Sequence, residues 1–163
     1  MDQAEFTAFY HETAAALRGY IRGVSGEGES ADDLVQETYL RFLRAEPAAA
    51  DRAAMKAYLY KTATAAIYDR WRRLRRERLW SLAFRFREES EPATEGGDVS
   101  RCFQELKPRE RALLWLAYVE GYAHNEIART LDLKEKSVKV LLFRARRNLE
   151  RILRQNGLSE VQS

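Results

Sequence analysis

A single cysteine, Cys102, in 163 residues leaves no partner for an intramolecular disulfide and no set of thiolates for a zinc or iron–sulfur site. Histidine is almost as scarce. His11 and His124 stand far apart, and the chain has neither a glycine-rich phosphate loop nor a nucleophile elbow beside either of them. No apolar run approaches the roughly eighteen residues a membrane span requires, and Asp2 and Glu5 stand where a signal peptide would carry basic residues. These absences lead us to expect a soluble cytoplasmic protein that is not an enzyme, with no metal, no cofactor and no membrane insertion. Strand-like alternation is absent too. Two of the three prolines, Pro47 and Pro108, fall where helices would begin or end, so an all-α fold is expected.

Charge, by contrast, is plentiful and uneven. Charged residues make up 33% of the chain and apolar residues 45%, enough for a core under a heavily charged surface. Residues 1–86 hold 14 basic and 12 acidic side chains, residues 87–99 hold 1 and 5, and residues 100–163 hold 13 and 8. The acidic middle, REESEPATEGGDV, also carries Pro92, Gly96 and Gly97 and has no apolar period, so it reads as a flexible linker. The expected architecture is two small helical domains, 1–86 and 100–163, joined by the linker 87–99.

In the first domain Phe6, Phe9, Tyr10, Leu17, Tyr20, Ile21 and Val24 mark one face of a helix that ends in the turn-prone GVSGEGES. A second helix can be capped by Ser30, with Asp32 and Asp33 in its first turn, where the helix dipole favours acids. Its buried stripe is Leu34, Val35, Thr38, Tyr39, Phe42 and Leu43, with Gln36, Glu37 and Arg41 pointing elsewhere. A third helix, from about Asp51 to beyond Leu74, is expected to bury Tyr58, Leu59, Ala63 and Ile67 before it becomes DRWRRLRRER. That basic run has six arginines between Arg70 and Arg78, with Trp71 among them. Arginines give salt-sensitive phosphate affinity and aromatic rings stack on unpaired bases, which suits a single strand or an opening duplex. Trp71 and Leu74 are also spaced as core neighbours, so the tryptophan itself fits either role.

The second domain contains LKPRERALLWLAYVEGYAHNEIARTLDLKEKSVKVLLFRARRNLERIL. Ile127, Ala128 and Leu131 recur at helical spacing, Asp132 and Leu133 make a break, and a second helix opens near Glu135 with Ser137 in its first turn. Val138, Leu142, Ala145, Leu149 and Ile152 form one apolar stripe, which leaves Lys134, Lys136, Lys139, Arg144, Arg147 and Arg151 on the other faces. This is the pattern of a helix-turn-helix, whose second helix can lie in a DNA major groove. An amphipathic helical hairpin with a solvated basic face has the same spacing.

Three segments in this order resemble the extracytoplasmic-function (ECF) group of sigma-70 type RNA polymerase sigma factors. ADDLVQETYLRFLRA resembles the helix by which those factors dock on the polymerase clamp, YLYKTATAAIYDRWRRLRRER their minus-ten recognition and melting segment, and the tail from Leu106 their minus-thirty-five reader. The resemblance implies that Asp33, Gln36, Glu37 and Arg41 face core RNA polymerase. It further implies that Asp69, Arg70, Trp71, Arg72, Arg73, Arg75 and Arg76 lie along the minus-ten region. Lys134, Lys136, Ser137, Lys139, Val140, Arg144 and Arg147 would approach minus-thirty-five DNA. Core polymerase and promoter DNA are the implied partners, and an anti-sigma protein that holds both domains is expected as a third. The chain departs from the family at Ala65, where Asn is frequent, at Tyr58, where Trp is frequent, and at Val140 and Leu141, where Ser and Arg are frequent. These departures point to an altered promoter preference.

Two other readings stand beside this one. A conventional regulator would bind operator DNA as a dimer through the helix-turn-helix, with residues 1–86 as an effector or dimerisation domain. An interaction protein would use sigma-like surfaces without reading DNA, and Val140 and Leu141 support it best. Dependence on core polymerase separates the three.

Overall fold

A computed structural model describes residues 1–26, 30–45, 51–83 and 97–158, and the side chains of 81–83 are not part of that description. Among the described residues all regular structure is α-helical. Helix α1 (Gln3–Ser25) starts in a reciprocal capping box: the Glu5 amide donates to Asp2 Oδ1 at 2.7 Å and the Asp2 amide to Glu5 Oε2 at 3.0 Å. It stops at Gly26, whose φ of 74° is left-handed and whose amide bonds back to the Arg22 carbonyl. Helices α2 (Ala31–Arg44) and α3 (Arg52–Ala83) pack against it. Phe9, Leu17, Tyr20, Ile21, Phe42, Leu59, Ala63 and Ile67 are almost wholly removed from water at their centre. Two polar pairs are buried there, Thr13 with Tyr39 and Tyr20 with Thr64, each at 2.7 Å, so these hydroxyls are satisfied inside the core.

The expected stripes are present, with three corrections at their edges. Tyr58 is 39% exposed, and Tyr60 is the tyrosine that is buried. Leu59, Ala63 and Ile67 set the inward direction of α3, and the residues on either side of Leu59 flank that direction. Tyr58 turns out beside the Phe42 ring at 5.9 Å, while Tyr60 is covered by the rings of Tyr20 and Tyr122. Tyr10 and Leu43 are exposed as well. Ser30 stands at the N-cap of α2 but makes no capping bond, because its Oγ accepts from Arg70 instead.

The second half begins with α4 (Asp98–Gln104), whose first residues are the last two of the segment expected to be linker. Pro47, Pro92 and the rest of that segment up to residue 96 lie outside the described residues. Helix α5 (Pro108–Tyr118) carries proline at its first position, where no amide donor is needed. Helices α6 (His124–Leu131) and α7 (Glu135–Gln155) form the helix-turn-helix. Its turn rests on Asp132 in the left-handed region at φ 56°, after which the Leu133 amide bonds back to the Ala128 carbonyl at 2.8 Å. Val138, Leu142, Ala145 and Ile152 are buried as the stripe requires, and Leu149 is partly buried. The two halves are packed on one another: α5 lies on α1, and α6 and α5 meet α3.

Candidate polymerase and nucleic-acid surfaces

Three outward faces gather the residues singled out above. On α2, Asp33, Gln36 and Glu37 are exposed, and so are two residues the sequence reading missed, Leu40 at 51% and Leu43 at 42%. Leu40 sits one turn beyond Gln36 and Glu37, so the face mixes acid, amide and aliphatic groups, a composition suited to a protein partner rather than to phosphate. Leu40 was legible by elimination, since it lies off the stripe that Leu34, Thr38 and Phe42 define.

Arg41 lies at the border of this face. Its guanidinium meets Glu37 at 2.7 Å and reaches across to Asp69 of α3 at 3.3 Å, and the other Asp69 oxygen accepts from Arg72 at 2.6 Å. Burial alone would lower the Arg41 pKa, but the bonds and charges of Glu37 and Asp69 outweigh it and raise the pKa. The chain Glu37–Arg41–Asp69–Arg72 therefore joins the α2 face to the α3 face.

On α3, Tyr58, Lys61, Ala65, Asp69, Arg72 and Arg76 follow one another at helical spacing and all are exposed. Arg73 and Arg75 are exposed beside them. Trp71 is half-buried, with the Arg75 guanidinium 5.3 Å from its ring centre. Arg70 is turned away from this group, tied at 2.7 Å to Ser30 at the head of α2. Of the seven residues expected here, Arg70 is thus the one the geometry separates from the rest.

On the helix-turn-helix, a shallow groove at the start of α7 brings together Lys134, Lys136, Ser137, Val140 and Arg144, with Arg109 of α5 and Asp132 on its rim. Lys139 and Arg147 are exposed outside it. Lys134, Lys136, Lys139 and Arg144 form no ion pair among the described residues, so their charges are open to an anionic partner. The amino end of α7 adds its dipole to that field. Val140 is 48% exposed and Phe143, one turn on, is 53% exposed with the Arg147 guanidinium 5.8 Å from its ring. Leu141 is half-buried and packs on the core. Arg109 and Phe143 were missed in the sequence. Phe143 has the outward spacing from Val140 that would have revealed it, whereas Arg109 reaches the groove only through tertiary packing. Among the described residues no group of three or more His, Cys, Asp or Glu side chains is placed to hold a metal, and no helix is long and apolar enough to cross a membrane.

Comparison with known proteins divides the chain along the same lines. Residues 9–77 match the family described as sigma-70 region 2, and residues 97–149 match sigma-70, region 4. The ECF RNA polymerase sigma factor SigL of Mycobacterium tuberculosis is 28% identical, over 97% of this chain and 94% of its own. The ECF RNA polymerase sigma factor SigE of Mycolicibacterium smegmatis is 27% identical, over 86% of this chain and 58% of that protein. Among solved structures, the sigma factor RpoE of Bartonella quintana, crystallised with the anti-sigma factor NepR, superposes with a TM-score of 0.72 at 22% identity, covering 92% of this chain and 97% of that one. The PhyRSL–NepR complex from Sphingomonas sp. Fr1 gives a TM-score of 0.62 at 20% identity, covering 93% of this chain and 88% of that one.

Proposed function

From the membership of this chain in the sigma-70 family of RNA polymerase sigma factors, in its ECF group, we propose that it binds core RNA polymerase and directs transcription from a specific class of promoters. Residues 1–86 dock on the polymerase and act at the minus-ten element, residues 100–163 read the minus-thirty-five element, and 87–99 is the acidic connection between them. The observation that carries this reading is the order of its surfaces. An acidic and aliphatic protein-binding face, a basic aromatic-bearing helix and a helix-turn-helix with unpaired cations occur on one chain and all point outward.

Asp33, Gln36, Glu37, Leu40 and Leu43 contact the polymerase, and Arg41 couples that contact to Asp69 and Arg72. Arg72, Arg73, Arg75 and Arg76 hold phosphates near the minus-ten element, where Tyr58 and Trp71 offer rings to unpaired bases. In the upstream element Lys136, Lys139 and Arg144 meet phosphates or base edges, and the apolar pair Val140 and Phe143 suits thymine methyl groups. The protein lends specificity to an enzyme and catalyses nothing itself, and it works in the cytoplasm, where polymerase is found. An anti-sigma protein controls it, a reading supported by the fold it shares with the RpoE chain bound to NepR.

The exposed Val140 and Phe143 also fit a sigma-like interaction protein that does not read DNA. Footprinting of promoter fragments with core polymerase, with and without the chain, tests the two: protection of two spaced elements supports the sigma factor, and core binding without protection supports the other.

A further inference from the structure

The seam between the two halves is built with a specificity that neither DNA reading nor polymerase docking requires. Helix α1 has small residues one turn apart, Gly19 and Gly23, and the indole of Trp115 from α5 fills the notch they leave. A Cβ at Gly19 would sit 3.8 Å from that ring, and one at Gly23 would overlap it. Next to the notch the last turn of α1 presents carbonyls that have no partner within the helix. The second half supplies the donors. Gln104 Nε2 donates to the Gly23 carbonyl at 3.0 Å, and Arg111 Nε donates to the Val24 carbonyl at 2.6 Å. The same guanidinium donates to the carbonyls of Gln104 and Leu106 in its own half. A cation thus lies at the negative end of α1, where the helix dipole favours it. A second contact is made on α3: the Tyr60 hydroxyl donates to Glu120 at 3.1 Å, and the Tyr122 ring lies between Tyr60, at 5.8 Å, and the Lys56 ammonium, at 5.7 Å.

Two features mark this seam as separable. Trp115 Nε1 and Tyr68 Oη are buried and find no hydrogen-bond partner among the described residues, so both regain one from water on separation. Each half also matches a family of its own, as a unit.

We propose that these contacts form an intramolecular latch, in which α1 and α3 hold α4–α6 so that the two DNA-reading surfaces are too close to engage both promoter elements, and which must release when the chain joins core polymerase. The inference rests on the sigma-factor reading for the promoter's dimensions and for the role of polymerase. Elements about 25 base pairs apart are separated by roughly 85 Å at about 3.4 Å per pair. A compact chain of this length has a radius of gyration of about 15 Å and a breadth of roughly 40 Å. The latched form can therefore occupy one element but not both, although each surface stays open to solvent. Residues 84–96 could span about 45 Å when extended, so release of the seam allows the halves to separate toward the required distance.

Gly23→Leu in the full chain is the decisive variant, because the new side chain points at Trp115 and not into the core of either half, and leucine favours the helix over glycine. X-ray scattering of the free protein should give a compact particle for the wild type and a radius of gyration larger by several ångström for Gly23→Leu. Helix content by circular dichroism should not fall. Gly23→Leu combined with Trp115→Ala, which makes room for the leucine, should regain much of the compactness. Stopped-flow association with core polymerase should be several-fold faster for Gly23→Leu. An already extended wild type, a Gly23→Leu variant as compact as wild type, or an expanded variant with unchanged association would each overturn the latch. Scattering needs no polymerase, so its result stands apart from the sigma reading: if the chain never binds core polymerase, that reading fails while the seam itself is still tested.

Discussion

Arg41 carries two tasks with one guanidinium, since it pairs with Glu37 on the polymerase face and with Asp69 on the minus-ten face. Both pairs are exposed enough that Arg41→Ala should change folding stability by under about 1 kcal/mol. Transcription from a cognate promoter should nevertheless fall, because Asp69 then competes as a free carboxylate near DNA phosphates; a thermal melt beside an in vitro transcription assay separates the two effects. Leu40 and Leu43 make a sharper test of the docking face. They are already in water, so Leu40→Ala with Leu43→Ala should leave Tm nearly unchanged and weaken core binding by about tenfold, as expected when an apolar patch is removed from an interface. Unchanged affinity in a pull-down titration with core enzyme would move the docking site off this face. The sequence made the acids and amides of α2 readable, because they stand off the apolar stripe. It placed Tyr58 inside and Leu43 in the stripe wrongly, for one reason: a large apolar side chain at the margin of a stripe goes in or out according to its neighbours from other helices, here Phe42 for Tyr58 and Tyr122 for Tyr60.

Helices α3 and α7 divide the work on DNA, and their arginines and lysines should respond differently to mutation. Arg72→Ala with Arg73→Ala should slow promoter opening, read by permanganate reactivity of unpaired thymines, while core binding holds. Open complexes formed at the wild-type rate would remove α3 from melting. Lys139→Ala with Arg144→Ala should weaken binding to an upstream duplex and lower the slope of log affinity against log salt by about two, one unit for each phosphate no longer neutralised. An unchanged slope would mean that these cations do not face the backbone. Helix identity and the main buried faces were legible from spacing alone, since Ile127, Ala128, Val138, Leu142, Ala145 and Ile152 recur with the helical period and are buried. The groove at the head of α7 was only partly legible. Lys134, Lys136 and Arg144 could be seen as cations on one helix, but Arg109 joins them through packing of α5, which no local pattern encodes.

The arrangement of the two halves was beyond reach of the sequence. Its contacts join residues as distant as Val24 and Arg111 or Tyr60 and Glu120, and each member looks ordinary where it stands: an arginine in a helix, a glycine pair near a helix end. Arg111 is almost wholly buried, and burial pushes its guanidinium down to about 10, which leaves it charged at neutral pH and bound to three carbonyls. A tethered pair of domains and a latched pair share one amino-acid pattern, and only packing distinguishes them. The claim on which everything else depends is that the molecule confers promoter choice on polymerase. Run-off transcription of a fragmented genome from the source organism, using core RNA polymerase with and without the chain, tests it most directly. New start sites that share two spaced upstream elements are the predicted result. The same starts with and without the chain, at concentrations where it binds core enzyme, would contradict it.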